Sequence, residues 1–456
     1  MILKLAIISA ILSSAQTFDS QISQINRDTV KTGSTAFKTP RMQPDSRQQK
    51  ELTVMIFMNG KNNLADYVLK DINEMETYGP RPDMNIVVQA GRINYTPPSY
   101  PGYPGGGYDP YDPFPWSPGY HPGLPPMYSA PENKTEAAAS SGLTTFTGVK
   151  RFLIQKDDST SSIGSKELET LSKSDMGDPQ ELVNFVLWAK KNFPAKKYML
   201  MVWNHGDGWK RKNIMPDLVK GISSDDETGN EISTPELGIA LSKMGKIDIY
   251  ASDACLMQML EVVYELKDSA PVIIGSEETE PGDGWAYDYF LKRIHSLSSL
   301  APEAVAKAAV EAYGEYYTEK KQGVTQSAVR TAKIDELRYR LDLWADLAMK
   351  KVTKEKLKES INKFLGFEAS GSRDMIDFLN MASADSGDGE LVNRAREIEI
   401  FLKNSVLISN VYSGDSYKKA SGIALYVPTY SYDSKYDALK LSSKGIWDDF
   451  LKWLYQ

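Results

Sequence analysis

The sequence predicts an α/β protein: an α/β/α sandwich with a mostly parallel central sheet and a helix-rich C-terminal extension. Three observations carry this expectation. Short apolar runs rich in β-formers alternate with helix-period stripes between residues 51 and 300, the rhythm of βαβ units. Those runs are nearly continuous in apolar residues, as strands buried on both faces require. From Pro302 onward helical patterns dominate.

The first strand spans residues 52–58 and stops at Asn59-Gly60. Leu64, Val68, Ile72 and Met75 then form a helical stripe, and residues 84–90 make a second strand, which completes a βαβ unit. A third strand falls at 149–155. Asp178-Pro179 opens a helix with Leu182, Phe185, Val186 and Ala189 on one face, proline suiting the first turn. Residues 198–203 form a strand that runs straight into Asn204-His205-Gly206-Asp207-Gly208-Trp209. A similar junction follows: a strand at 247–251, then Ser252-Asp253-Ala254-Cys255-Leu256-Met257, then a helix through Leu260, Val263 and Leu266. Residues 272–276 give the next strand. Helices are expected over 305–317, 337–348 and 391–402, with a strand returning near 422–428.

Lys4 and the apolar run 5–12, followed by small residues at Ser13 and Ala15, read as a signal peptide over 1–15, so the protein is expected to be secreted or periplasmic. Residues 16–50 are a polar linker or pro-segment. The core, 51–300, carries an insertion over about 95–142. Between Pro97 and Pro126, 11 of 30 residues are Pro and 6 are Gly, too many missing donors for a helix or central strand. Residues 301–456 form the helical C-terminal region. No later run approaches the ~20 apolar residues of a membrane span.

The 456 residues carry a formal charge of -7, with 25% charged and 41% hydrophobic residues. That balance excludes global disorder and gives no basic footprint for nucleic acid. One cysteine, Cys255, and three histidines, His121, His205 and His295, exclude an intramolecular disulfide and a zinc finger. His121 lies in the proline-rich insertion and His295 on an ordinary amphipathic stretch. His205 and Cys255 each follow the carboxyl end of a predicted buried parallel strand, the edge that borders the ligand crevice in open sheets. A lone cysteine is ordinarily a small buried hydrophobe, but at the start of a helix its thiolate is favoured by the dipole. A histidine on the adjacent strand end can act as base and then as acid. The N–H groups of Gly206 and Cys255 are the candidate oxyanion donors.

The blocks Asn204-His205-Gly206-Asp207-Gly208-Trp209 and Asp253-Ala254-Cys255-Leu256-Met257, with Glu277-Glu278-Thr279-Glu280-Pro281-Gly282-Asp283-Gly284-Trp285 downstream, resemble the clostripain family of cysteine peptidases, within the caspase-like group. The resemblance implies a caspase-like fold, Cys255 as nucleophile, His205 as its partner, and cleavage of protein or peptide substrates after Arg or Lys. A basic side chain in a pocket needs an acidic counter-charge, and Asp253 and Asp283 are the candidates. Family members are often activated by self-cleavage between the two blocks, where Lys220-Gly221 is the first candidate bond and Lys212-Asn213 the second. No cofactor is required. Asp225, Asp226 and Glu227 offer a calcium site of the kind some relatives use, without the EF-hand spacing; a solvated acidic loop is the alternative. Two other classes compete. A binding or adhesion protein on the same scaffold would show no turnover, and a transpeptidase or ligase would pass its acyl group to an added amine.

Overall fold

The structure, a computed structural model, describes residues 49–95, 146–209, 221–369 and 371–456. The expected signal peptide, most of the linker, the proline-rich insertion with His121, and Lys212 and Lys220 lie outside the described residues. Nine strands form the central sheet: β1 (Lys50–Gly60), β2 (Met84–Arg92), β3 (Gly148–Leu153), β4 (Lys166–Leu171), β5 (Ala195–Trp203), β6 (Ile249–Asp253), β7 (Val272–Gly275), β8 (Val324–Arg330) and β9 (Leu407–Ser413). They lie in the order β9-β8-β7-β6-β5-β1-β2-β3-β4. The five central strands are mutually parallel. The outer strands on both sides pair antiparallel.

Strand alternation divides the core into two layers. Val54, Ile56 and Met58 of β1 pack with Val68, Ile72 and Met75 of α1 (Tyr67–Tyr78), together with Phe290 and Ile294 of α5 (Tyr287–Ser296) and Val305, Ala309 and Tyr313 of α6 (Pro302–Lys320). Phe57 points the other way, its ring 6.0 Å from that of Phe185 on α2 (Pro179–Asn192). Helices α3 (Thr234–Lys243) and α4 (Leu260–Leu266) continue that second layer. Both α2 and α3 begin as their sequences direct. The Asp178 carboxylate accepts from Gln180 N–H, and Ser233 and Glu236 form a reciprocal capping box.

Four strands differ from expectation. β4 reads Lys-Glu-Leu-Glu-Thr-Leu and forms a mostly exposed edge, so hydrophobicity gives it no signal. β8 and β9 extend the sheet from within the region read as helical. Ala424–Tyr426, the expected returning strand, instead pairs with Ser372–Asp374 in a separate two-stranded sheet. The carboxyl ends of β1, β5, β6 and β7 share one edge of the main sheet, which places the motif loops side by side.

Candidate functional site

The site is built on the register of two neighbouring parallel strands. Trp203 of β5 pairs with Asp253 of β6, and Asn204 N–H extends the ladder to the Asp253 carbonyl at 3.1 Å. His205 and Cys255 therefore each stand two residues beyond a matched pair. The loops that carry them touch at Gly206, where a Cβ would lie 2.4 Å from the Cys255 carbonyl oxygen and 3.0 Å from Ala254 Cβ. Only glycine permits that approach. Gly206 also bridges to Ile222, held through the neighbouring Asp207 N–H to Gly221 carbonyl bond at 3.0 Å rather than through its own amide.

Cys255 is half-buried. Leu256 beside it adopts φ 63° while buried, a left-handed conformation that a leucine holds only where the surroundings enforce it. Leu256 N–H donates to the Glu278 carbonyl at 3.1 Å, which supplies that enforcement. The segment 278–280 also reaches the thiol: Glu280 N–H donates to Cys255 Sγ at 3.2 Å. Burial, and then the negative charge of Glu280, push the thiol up to about 12, against the favourable Glu280 amide. The helix-dipole expectation therefore fails. Helix α4 begins at Leu260, five residues past the cysteine, and residues 254–259 form a loop instead.

His205 Nε2 lies 2.6 Å from Asn63 Oδ1, in the turn after β1. That turn is tied to the site by amide side chains. Asn204 Oδ1 accepts from Ser224 N–H at 2.9 Å, and Asn59 and Asn62 both donate to the Ser224 carbonyl, at 2.9 and 3.0 Å. Asn63 was not singled out by sequence reading. Its signal is the Asn-rich string Asn59-Gly60-Lys61-Asn62-Asn63 directly after a buried strand, a stretch that reads only as a strand stop.

Asp253 and Asp283 sit at opposite sides of one Gly-Asp-Gly turn. Asp253 is buried, accepting from Tyr287 Oη at 2.6 Å and Trp285 N–H at 3.2 Å. Gly284, at φ 59°, lies so close that a Cβ would stand 2.7 Å from Asp253 Oδ1. Burial pushes the Asp253 carboxyl up to about 6, against the hydrogen bonds of Tyr287 and its neighbours. Asp283 points outward, its side chain 42% exposed, bonded to Lys70 Nζ at 2.6 Å and Tyr316 Oη at 3.1 Å. Burial opposes its charge, but Lys70 prevails and holds the carboxyl below its ordinary range. Glu280 and Lys70 are further residues of this neighbourhood that sequence reading did not assign.

The acidic run at 225–227 already faces a cation. Lys61 Nζ is 2.8 Å from Asp225 and 2.7 Å from Glu227, with Lys61 and Asp225 both buried. His295 serves the fold, its Nε2 3.0 Å from the Gly79 carbonyl. Among the described residues no helix is long and apolar enough to cross a membrane.

The model of the clostripain family matches residues 56–453. Clostripain from Hathewaya histolytica is 25% identical over 267 residues, covering 55% of this chain and 43% of that protein. The chain thus spans less than half the length of this curated relative. Two solved structures share the fold, each 19% identical and each matched over 87% of this chain and 99% of theirs. One is a secreted cysteine protease from Bacteroides thetaiotaomicron in complex with an irreversible peptide inhibitor, at TM-score 0.58. The other is an inactive zymogen protease from Parabacteroides distasonis, at TM-score 0.59.

Proposed function

Because the chain belongs to the clostripain family, we propose that it is an exported cysteine endopeptidase, secreted or periplasmic, that cleaves after Arg or Lys with Cys255 as nucleophile and His205 as its proton partner. The observation that carries this reading is the contact of the two strand-end loops at Gly206, which brings the histidine and cysteine blocks together.

The 2.6 Å contact supports Nε2–H donating to Asn63 Oδ1, with Nδ1 acting as the base. Nδ1 takes the thiol proton as Sγ attacks the scissile carbonyl. The amides of Gly206 and Cys255 receive the oxyanion, a contribution worth about 3 kcal/mol per donor in related chemistry. The imidazolium then gives its proton to the leaving amine, and water activated by His205 hydrolyses the acyl-enzyme. Asp283 offers the accessible carboxylate for a basic side chain, with Asp253 behind Gly284 adding negative field. The scheme uses no cofactor.

A thiol pushed up to about 12 is protonated at neutral pH, so the arrangement with Glu280 over Sγ is a resting form. Self-cleavage at Lys220-Gly221, or second at Lys212-Asn213, converts it to the active enzyme. A relative described as an inactive zymogen supports this order of events.

The test is hydrolysis of Arg and Lys reporter peptides by the wild-type protein, Cys255→Ala and His205→Ala, with folding checked by circular dichroism. Both variants are expected to lose activity by about 10⁴-fold or more, as for other residues that act as one catalytic unit. Folded Cys255→Ala retaining activity within tenfold of wild type would overturn the reading.

A further inference from the structure

Lys70 projects from the first turn of α1 into the same neighbourhood as Asp283. Its ammonium is 2.6 Å from Asp283 and 3.5 Å from Glu74, with the Tyr67 ring centroid 6.0 Å away. The Gly-Asp-Gly turn packs on the Tyr67 side chain of α1, where a Cβ at Gly282 would stand 2.7 Å from Tyr67 Oη, and Asp283 meets Lys70 one turn away. Tyr316 Oη binds the other carboxylate oxygen at 3.1 Å. Lys320 acts on Asp283 from α6. A substrate guanidinium or ammonium approaching Asp283 therefore finds a carboxylate already matched by a cation.

We propose that Lys70 is a specificity-determining residue: a tethered cation that competes with the basic side chain of the substrate for Asp283. This rests on the reading of Asp283 as the acidic partner of that side chain. The competition is winnable. Lys70 and Asp283 are 38% and 42% exposed in their side chains, and ion pairs of that exposure contribute up to about 1 kcal/mol. A substrate cation that excludes water from the turn gains more than the tether loses, and the tether returns to Asp283 when product leaves.

The experiment compares wild type, Lys70→Met, Lys70→Arg and Asp283→Asn on matched reporters carrying Arg or its neutral isostere citrulline. Lys70→Met is expected to lower KM for the Arg reporter about two- to fivefold, the factor equivalent to an exposed ion pair. Its kcat and its kinetics on citrulline should stay within about twofold of wild type, because the ion pair is discriminating only against a cation. Lys70→Arg keeps the tethered charge and should keep wild-type KM. A merely structural lysine would shift thermal stability, or kcat on both reporters together. In the Asp283→Asn background, Lys70→Met should change nothing. If Asp283→Asn removes the Arg preference but Lys70→Met leaves KM for Arg unchanged, the Lys70 proposal is overturned and the pocket reading survives. If Asp283→Asn leaves the Arg preference intact, the pocket reading fails and the Lys70 proposal falls with it.

Discussion

Three backbone and side-chain details hold the two motif loops, and each makes its own demand. Gly206 packs against the Cys255 carbonyl, so Gly206→Ala must push one strand-end loop away from the other. Displacements of about 1 Å at a reacting group cost on the order of a hundredfold in rate. The variant is expected to lose that much kcat and to melt earlier, measured by reporter kinetics and calorimetry; unchanged kcat would contradict the contact. Leu256 stores local strain beside Cys255, and its amide depends on the Glu278 carbonyl. The proposed mechanism has Asn63 Oδ1 hold the His205 tautomer, so Asn63→Ala should lower kcat by about tenfold or more while KM changes little. A shift confined to KM would assign Asn63 to substrate binding instead.

At the scale of elements, the segment after β7 and the strand β8 form one unit. The Thr325 hydroxyl accepts from both Glu277 and Glu278 N–H at 3.1 Å, Gln326 reaches Glu280, and Ser327 donates to the Gly422 carbonyl at 2.6 Å. These polar side chains are buried, and they explain why β8 was illegible. A strand that buries Thr325, Gln326 and Ser327 on its two faces carries little hydrophobic signature, and those side chains bond the acidic segment 277–280 and Gly422 instead. The strands β1, β2, β5, β6 and β7 were legible because both their faces are apolar core. His205 and Cys255 were legible because they are rare residues at strand ends. Asn63 and Lys70 reach the site from elsewhere in the chain, and their types are too common to stand out; Glu280 lies within a motif block, but only the fold shows its amide at the thiol.

The same region buries carboxyl groups. Glu261 on α4 accepts from Tyr426 N–H at 3.0 Å and Tyr436 Oη at 2.9 Å, and burial pushes it up to about 7 from an ordinary 4.5. Asp253 and Asp374 are each pushed up to about 6, again chiefly by burial. A carboxyl raised by folding binds its proton more tightly in the native state. Its stabilisation is complete below the unfolded value near 4.5 and is lost as pH rises through 6 to 7. Unfolding of the inactive Cys255→Ala protein in urea should therefore show a lower midpoint at pH 8 than at pH 5. Glu261→Gln keeps an acceptor without the charge and should reduce that fall. Stability that climbs with pH across this window would contradict the assignment.

For the whole molecule, the sheet joins distant parts of the chain: β1 near residue 50 and β9 near residue 410 belong to one sheet. Both motif loops stand on adjacent central strands, while the expected cut sites lie in the connection between those strands. Cleavage at Lys220-Gly221 or Lys212-Asn213 would leave β5 and β6 paired across the break, so the two pieces should remain associated. Intact mass and N-terminal sequencing of active protein should find that cut, with the fragments co-eluting under native conditions. A fully active uncut chain would contradict activation by self-cleavage.

The proposed mechanism has a single thiol, served by His205, attack peptide bonds after basic residues. Mass spectrometry of the protein treated with a peptidyl electrophile bearing Arg before the reactive carbon tests it. One adduct per chain is expected, on Cys255, formed faster than with the citrulline analogue and slowed at least about a hundredfold in His205→Ala. Equal labelling of wild type and His205→Ala by both analogues, or labelling only after denaturation, would contradict it.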